Sequence, residues 1–243
     1  MGALTTALLA FHIAAGSVAF LAAPVAMYAR KGGPWHRRAG QAYLWGMAAA
    51  LGAALPISIL RPNPFLFAVA LFSGYLVFSG YRALFRKRPD RGQGPAAADR
   101  WIAALAAATG AAMAAWALAG PLLGAGIETP AGGRGLAPVL LVFGLILSGF
   151  ALKDLIAFAR PFDAARGRHG WFFDHLTRML AASIATYTAV AVVNLTALPP
   201  IARWLAPTVI GAAGIAWVTV KYRRRFARGA KPAEVATIKI GAE

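Results

Sequence analysis

Apolar residues run along this chain in seven blocks separated by short polar or Gly/Pro-rich breaks. The blocks lie at about Leu4–Tyr28, Gly40–Leu60, Pro64–Phe85, Trp101–Leu123, Leu136–Phe158, Leu176–Leu198 and Trp204–Tyr222. Crossing roughly 30 Å of hydrocarbon at about 1.5 Å per residue takes about 20 residues, so each block predicts one transmembrane helix. The blocks are rich in Ala and Leu and lack the strict apolar/polar alternation of a membrane barrel. The pattern therefore predicts an all-α fold, a bundle of seven transmembrane helices over residues 1–222, followed by a basic tail over 223–243. The first block reads as a span, not a cleaved signal peptide: no basic residue precedes Leu4, and the apolar run exceeds the usual length of a signal core.

Composition agrees. The chain is 59% hydrophobic and 14% charged, with a mean hydropathy of +0.61, whereas a soluble domain is about 45–50% apolar and about 25% charged. Its 25 Lys and Arg against 8 acidic residues give a net charge of +17. In a soluble protein that surplus would suggest nucleic acid, but here its placement explains it. Twenty-two of the cations fall on alternate connections and the tail, around Arg30–Arg38, Arg82–Arg100, Lys153–Arg178 and Lys221–Lys239. Only Arg61, Arg134 and Arg203 lie on the other side. Cytoplasmic connections carry such an excess, so the expected topology has the N-terminus outside and the C-terminus cytoplasmic, in a bacterial inner membrane. No nucleic-acid partner is needed. The segment KYRRRFAR is expected to face anionic lipid at the cytoplasmic surface.

Absences narrow the chemistry. With no Cys there is no disulfide framework, thiolate metal site or cysteine nucleophile. No HExxH, GxSxG or Walker sequence occurs, which leaves hydrolase readings without support. Small residues four apart, Ala106/Gly110/Ala114 and Gly144/Ser148, predict close helix packing. The outer loop Gly124–Gly135 reads as flexible.

Ionisable side chains inside a bilayer are expensive, so they are the first candidates for function. They form two layers. His12 lies 18 residues before Arg30, about 27 Å along a helix, and shares a face with Gly16, Ala19 and Ala23. Ser183, Tyr187 and Asn194 share a face of the sixth span, with Asn194 at a depth similar to that of His12. With Arg61 and Asn63 of the turn RPNP, they predict an outer ligand pocket comprising His12, Arg61, Asn63, Tyr187 and Asn194. The plainer alternative makes His12 a structural hydrogen bond between helices.

The inner layer is richer. His36 opens the second span in WHRRAG with Arg37 and Arg38 behind it, and His175 opens the sixth in DHLTRML with Arg178 one turn on. Two imidazoles at one depth on facing helices suit a bis-His haem b or a quinone headgroup, with Arg37, Arg38 and Arg178 pairing the carboxylates. This requires the second and sixth spans to face each other. The same cationic rim could instead hold a lipid phosphate or an anionic substrate. A zinc site is disfavoured, because only two His and Asp174 are in reach and the arginines repel a cation. Lys153 and Asp154 read as too exposed for a buried pair, Arg82 as snorkelling, and His169 as solvated.

The order of these motifs resembles an uncharacterised bacterial family of predicted multi-spanning membrane proteins, a domain of unknown function. The likeness rests on His12 with Gly16, KGGPWHRRAGQAY, RPNPF and HLTRMLAASIATYTAVAVVN, and is most specific at His12, His36, Arg37, Gly40, His175, Arg178, Met179 and Asn194. The resemblance implies which positions matter and no activity. Three functions stand open: a membrane redox protein, a transporter or small-ligand-binding protein, and an accessory structural protein.

Overall fold

The computed structural model describes residues 2–120, 136–160 and 169–228. Seven helices fill them: α1 (Ala3–Tyr28), α2 (Pro34–Leu60), α3 (Pro64–Arg82), α4 (Ala97–Ala119), α5 (Ala137–Ala159), α6 (Gly170–Asn194) and α7 (Pro200–Ala227). Two short 3₁₀ turns, Ala83–Phe85 and Pro89–Arg91, lie between α3 and α4. All seven helices are long and apolar enough to cross a membrane. Large apolar side chains such as Leu21, Trp45, Leu145 and Ile210 point outward. A multi-pass membrane protein has this surface, because lipid is the solvent for its outer faces.

The helices begin earlier than the apolar blocks. α2 starts at Pro34 and α6 at Gly170, six residues ahead of each block, so His36 and His175 sit inside helices instead of opening them. Hydropathy missed these turns because WHRRA and WFFDH mix polar with apolar residues, while helix formation needs only the backbone and a start signal. Pro34 supplies that signal at the first position of α2. Gly32 at φ +74 turns the chain out of α1, a left-handed conformation that favours glycine. Asn63 caps α3 by accepting from the Leu66 N–H. α7 runs to Ala227, one turn into the basic tail. The outer loop Gly124–Gly135, with Arg134, lies outside the described residues, as do Arg166, Arg168, Lys231 and Lys239.

α3 is the axial helix, packed against α2, α4, α5 and α6, while α1 pairs with α2, α4 with α5 and α6 with α7. Phe65, Phe72, Tyr75 and Leu76 carry α3 into the core, where Phe72 stacks on Phe143 of α5 at 4.9 Å. Lipid tails are as apolar as Leu, so close van der Waals packing rather than the hydrophobic effect holds such helices together. Small residues provide it. A Cβ on Gly110 would lie 2.7 Å from the Gly144 carbonyl oxygen, and one on Gly144 would lie 2.7 Å from the Gly110 oxygen. The two helix backbones therefore touch where the small-residue spacing predicted. Gly46 likewise seats α2 on Ala15 and Ala19 of α1.

Connections α1–α2 and α3–α4, the end of α5, the start of α6 and the end of α7 share one end of the bundle, the basic end, which also carries His36 and His175.

Candidate functional site

Two imidazoles meet at the basic end. The rings of His36 on α2 and His175 on α6 have centroids 6.4 Å apart and planes at 81°. Both are half-buried. Each is held through Nδ1: His36 donates to the Ala26 carbonyl of α1 at 2.8 Å, and His175 to the Gly80 carbonyl of α3 at 2.9 Å. A carbonyl oxygen only accepts, so both Nδ1 atoms carry the proton and both Nε2 atoms keep a free lone pair.

The acceptors explain why the rings sit here. Ala26 and Gly80 lie in the last turns of α1 and α3, where carbonyls lack a partner within the helix. The imidazoles fill that vacancy, and two helix C-termini, each with a partial negative charge, converge on the pair. Gly80 is needed for this approach: a Cβ there would lie 2.9 Å from Met179 Sδ and 3.1 Å from Arg178 Cβ.

α2 and α6 face each other across a seam bridged by side chains. His36, Gly40, Tyr43 and Met47 recur at spacings of four, three and four, matched by His175, Met179, Ala182 and Thr186. Tyr43 Oη lies 3.2 Å from Thr186 Oγ1, and that hydroxyl lies 3.3 Å from Met47 Sδ. These contacts close the seam about 10 Å from the histidines, at 1.5 Å per residue. Between the two levels, Gly40 has no heavy atom within 4 Å of the position a Cβ would take.

The ring separation sets what the pair could hold. With about 2 Å from metal to imidazole nitrogen, two rings bound trans to one ion have centroids roughly 6.3 Å apart, and two at a tetrahedral angle roughly 5 Å apart. The observed 6.4 Å is the separation of two trans ligands, and it is also that of an ordinary edge-to-face ring contact. Among the described residues no group of three or more His, Asp or Glu side chains gathers for a metal, so any metal held by this pair must bring its own equatorial ligands. The pair, with both Nε2 lone pairs free, is the set of groups on this chain that would hold a haem iron.

The expected arginine partners are placed differently. Arg37 and Arg38 are exposed, and at about 100° per residue Arg38 lies across the helix from His36. Arg178 is fully buried and engaged elsewhere: it ion-pairs with Asp154 and lies 3.1 Å from Asp174 Oδ1. Asp154 also accepts from Tyr75 Oη at 2.6 Å, and Asp174 from Lys153 Nζ at 2.9 Å. Asp154 is thus a buried partner rather than an exposed residue, because the carboxylate turns into the α3–α5–α6 junction while the neighbouring Lys153 turns out. Arg82 does not merely snorkel. It grips Asp99 with two hydrogen bonds of 2.8 Å.

The cations that do act on the His175 ring include Lys31 and Lys87. Lys31 caps α1 by donating to the Ala26 carbonyl at 3.1 Å and to that of Met27, and burial in the α1–α2 turn pushes it down to about 8. Lys87 lies 5.0 Å above the Trp171 ring. Sequence reading passed over both. Lys31 stood beside the WHRR motif, but nothing showed that its ammonium would fold back over the helix end.

Compared with family models, curated proteins and solved structures, the chain matches none. Only the residues themselves bear on what the site does.

The outer layer is dispersed. His12 donates from Nδ1 to the Ala50 carbonyl of α2 at 2.8 Å, which is the helix-to-helix bond of the plainer reading. Asn194 bonds its own helix at Val190, Asn63 is spent as a cap, and Tyr187 packs edge-on against Phe20 at 5.2 Å. Arg61 ends α2, exposed. His169 is not simply solvated: it is half-buried and stacks on Phe226 at 4.2 Å.

Proposed function

We propose that this protein is a membrane redox protein that binds one haem b between His36 and His175, near the cytoplasmic face of a bacterial inner membrane. The observation that carries the reading is the pair itself: two half-buried rings 6.4 Å apart, each fixed through Nδ1 so that Nε2 is free to hold an iron. A hydrogen bond from the distal ring nitrogen to a carbonyl orients a metal-ligating imidazole and raises its basicity.

The haem would supply one-electron exchange. The chain's own residues do the rest. Ala26 and Gly80 hold the rings in the tautomer needed for ligation. The C-terminal ends of α1 and α3 place partial negative charge beside the pair and favour the more positive, oxidised state of whatever is bound. Lys31, which also caps α1, and Lys87 act electrostatically on the His175 ring and could balance propionates, in place of Arg37, Arg38 and Arg178. The Tyr43–Thr186 contact and the core beyond it keep water from the deep side of the seam. A transport path has less support, because His12, Arg61, Asn63, Tyr187 and Asn194 are not gathered at its outer end.

The test is an absorption spectrum of protein purified in detergent from haem-replete cells, before and after dithionite. The expected result is one haem per chain, with the Soret and sharp α bands of a six-coordinate low-spin centre. Protein that is colourless and also takes up no added haemin overturns the reading. Protein that is colourless but retains a bound quinone overturns it in favour of the imidazoles as hydrogen-bonding groups.

A further inference from the structure

At the basic end of the α4–α5 pair, away from the histidines, an open cleft of about 350 Å³ is lined by Arg100 of α4 and by Leu155, Phe158 and Ala159 of α5. Its floor is one face of α5, since residues at i, i+3 and i+4 lie together. The apolar strip continues along the helix toward the bilayer core through Leu152 and Ile156, both about half exposed. Its rim is cationic. Arg86 lies with its guanidinium 5.0 Å from the centroid of Phe158, and Arg160 follows Ala159 as an exposed residue at the end of α5.

Among the described residues little compensates that charge. Asp99 is the carboxylate at this corner, and Arg82 takes both of its oxygens at 2.8 Å, while the Ala96 N–H donates to one of them. Arg86 Nη1 reaches only 3.3 Å from Asp99 and makes no hydrogen bond, although the atom is buried. Arg100 in the lining and Arg86 over Phe158 therefore set positive charge against an apolar slot at the basic end of the bundle, with Arg160 next along the chain. The combination asks for a ligand with an anionic oxygen-rich head and a long apolar tail running down α5. Lipid headgroups are recognised by basic pockets of this kind between transmembrane helices.

We propose that the α4–α5 cleft is a binding site for one anionic diacyl phospholipid. Its phosphate accepts from Arg100 and Arg160, with Arg86 adding positive charge behind Phe158, and one acyl chain lies along Leu155, Phe158 and the strip through Leu152. This differs from general attraction of the basic face to a charged surface, because it places a single lipid at one corner of the bundle.

Native mass spectrometry of the full chain, titrated with phosphatidylglycerol or phosphatidylcholine of identical acyl chains, tests the site. The expected result is retention of one phosphatidylglycerol at concentrations where phosphatidylcholine is stripped, with apparent affinity about tenfold lower in Arg100→Gln/Arg160→Gln. Both residues are exposed and outside the haem site, so haem content of the variant should match wild type and separate this proposal from the previous one. Leu155→Trp, which fills the slot and leaves the charge intact, should lower phosphatidylglycerol retention as well. Equal retention of the two lipids, or unchanged retention in both variants, overturns the proposal.

Discussion

His36 and His175, 139 residues apart in sequence, stand ring to ring at 6.4 Å with their planes at 81°. The near-perpendicular setting is not free to relax, because each ring is tied to a carbonyl on a third and a fourth helix, Ala26 on α1 and Gly80 on α3. Four helices thus fix the geometry of two side chains.

That angle has a spectroscopic consequence. In a ferric low-spin haem, perpendicular imidazole planes would leave the iron dxz and dyz orbitals nearly degenerate, whereas parallel planes split them. Electron paramagnetic resonance of the oxidised protein should show the single broad, strongly anisotropic low-field feature of perpendicular ligands. A well-resolved rhombic spectrum would show that the rings rotate away from the observed setting on ligation.

The buried ion pair between Asp154 and Arg178 predicts an asymmetric response to mutation. Breaking a buried pair by removing one partner leaves an uncompensated charge and costs about 3–5 kcal/mol, while replacing both partners with apolar groups is often nearly neutral. Asp154→Ala should therefore lower the detergent melting temperature sharply. Asp154→Leu/Arg178→Met should recover most of that loss, and Asp174→Ala, at a side chain 31% exposed, should matter less than Asp154→Ala. Equal losses for the three variants would contradict the assigned partners.

His12 and Asn194 should behave unlike each other. His12→Ala removes the bond to Ala50 between α1 and α2, of a kind whose measured worth averages about 0.6 kcal/mol. Asn194→Ala removes only a bond within one turn of its own helix, at an exposed position, and should be silent in melting experiments. A coupled effect of the two substitutions in a double-mutant cycle would instead restore the outer pocket that the sequence suggested.

Much of this architecture was legible beforehand, because hydropathy senses burial in lipid directly and seven apolar blocks mark seven helices. The Gly110–Gly144 contact was legible for the same reason, since only small residues allow backbones to touch. Helix starts at Pro34 and Gly170 were not, because mixed segments such as WHRRA carry no apolar signal. Asp154 was misjudged because adjacent helical residues point about 100° apart, so Lys153 facing out says nothing against its neighbour facing in. Arg178 was assigned to a ligand because its depth was visible and its two acidic partners, one on a different helix, were not. The His36–His175 pairing was expected from depth alone. What no sequence pattern carries is the pair of carbonyls, of Ala26 and Gly80, that hold the two rings through Nδ1.

The account stands or falls on those two side chains as axial ligands, and a haem titration of the purified apoprotein and its single variants measures that directly. Wild-type protein should bind one haem and give a six-coordinate low-spin spectrum. His36→Ala and His175→Ala should each lose that spectrum, becoming five-coordinate high-spin or failing to bind, while Arg38→Ala should bind as wild type does. A six-coordinate low-spin centre that survives in both histidine variants, or a wild-type protein that binds no haem, would contradict it.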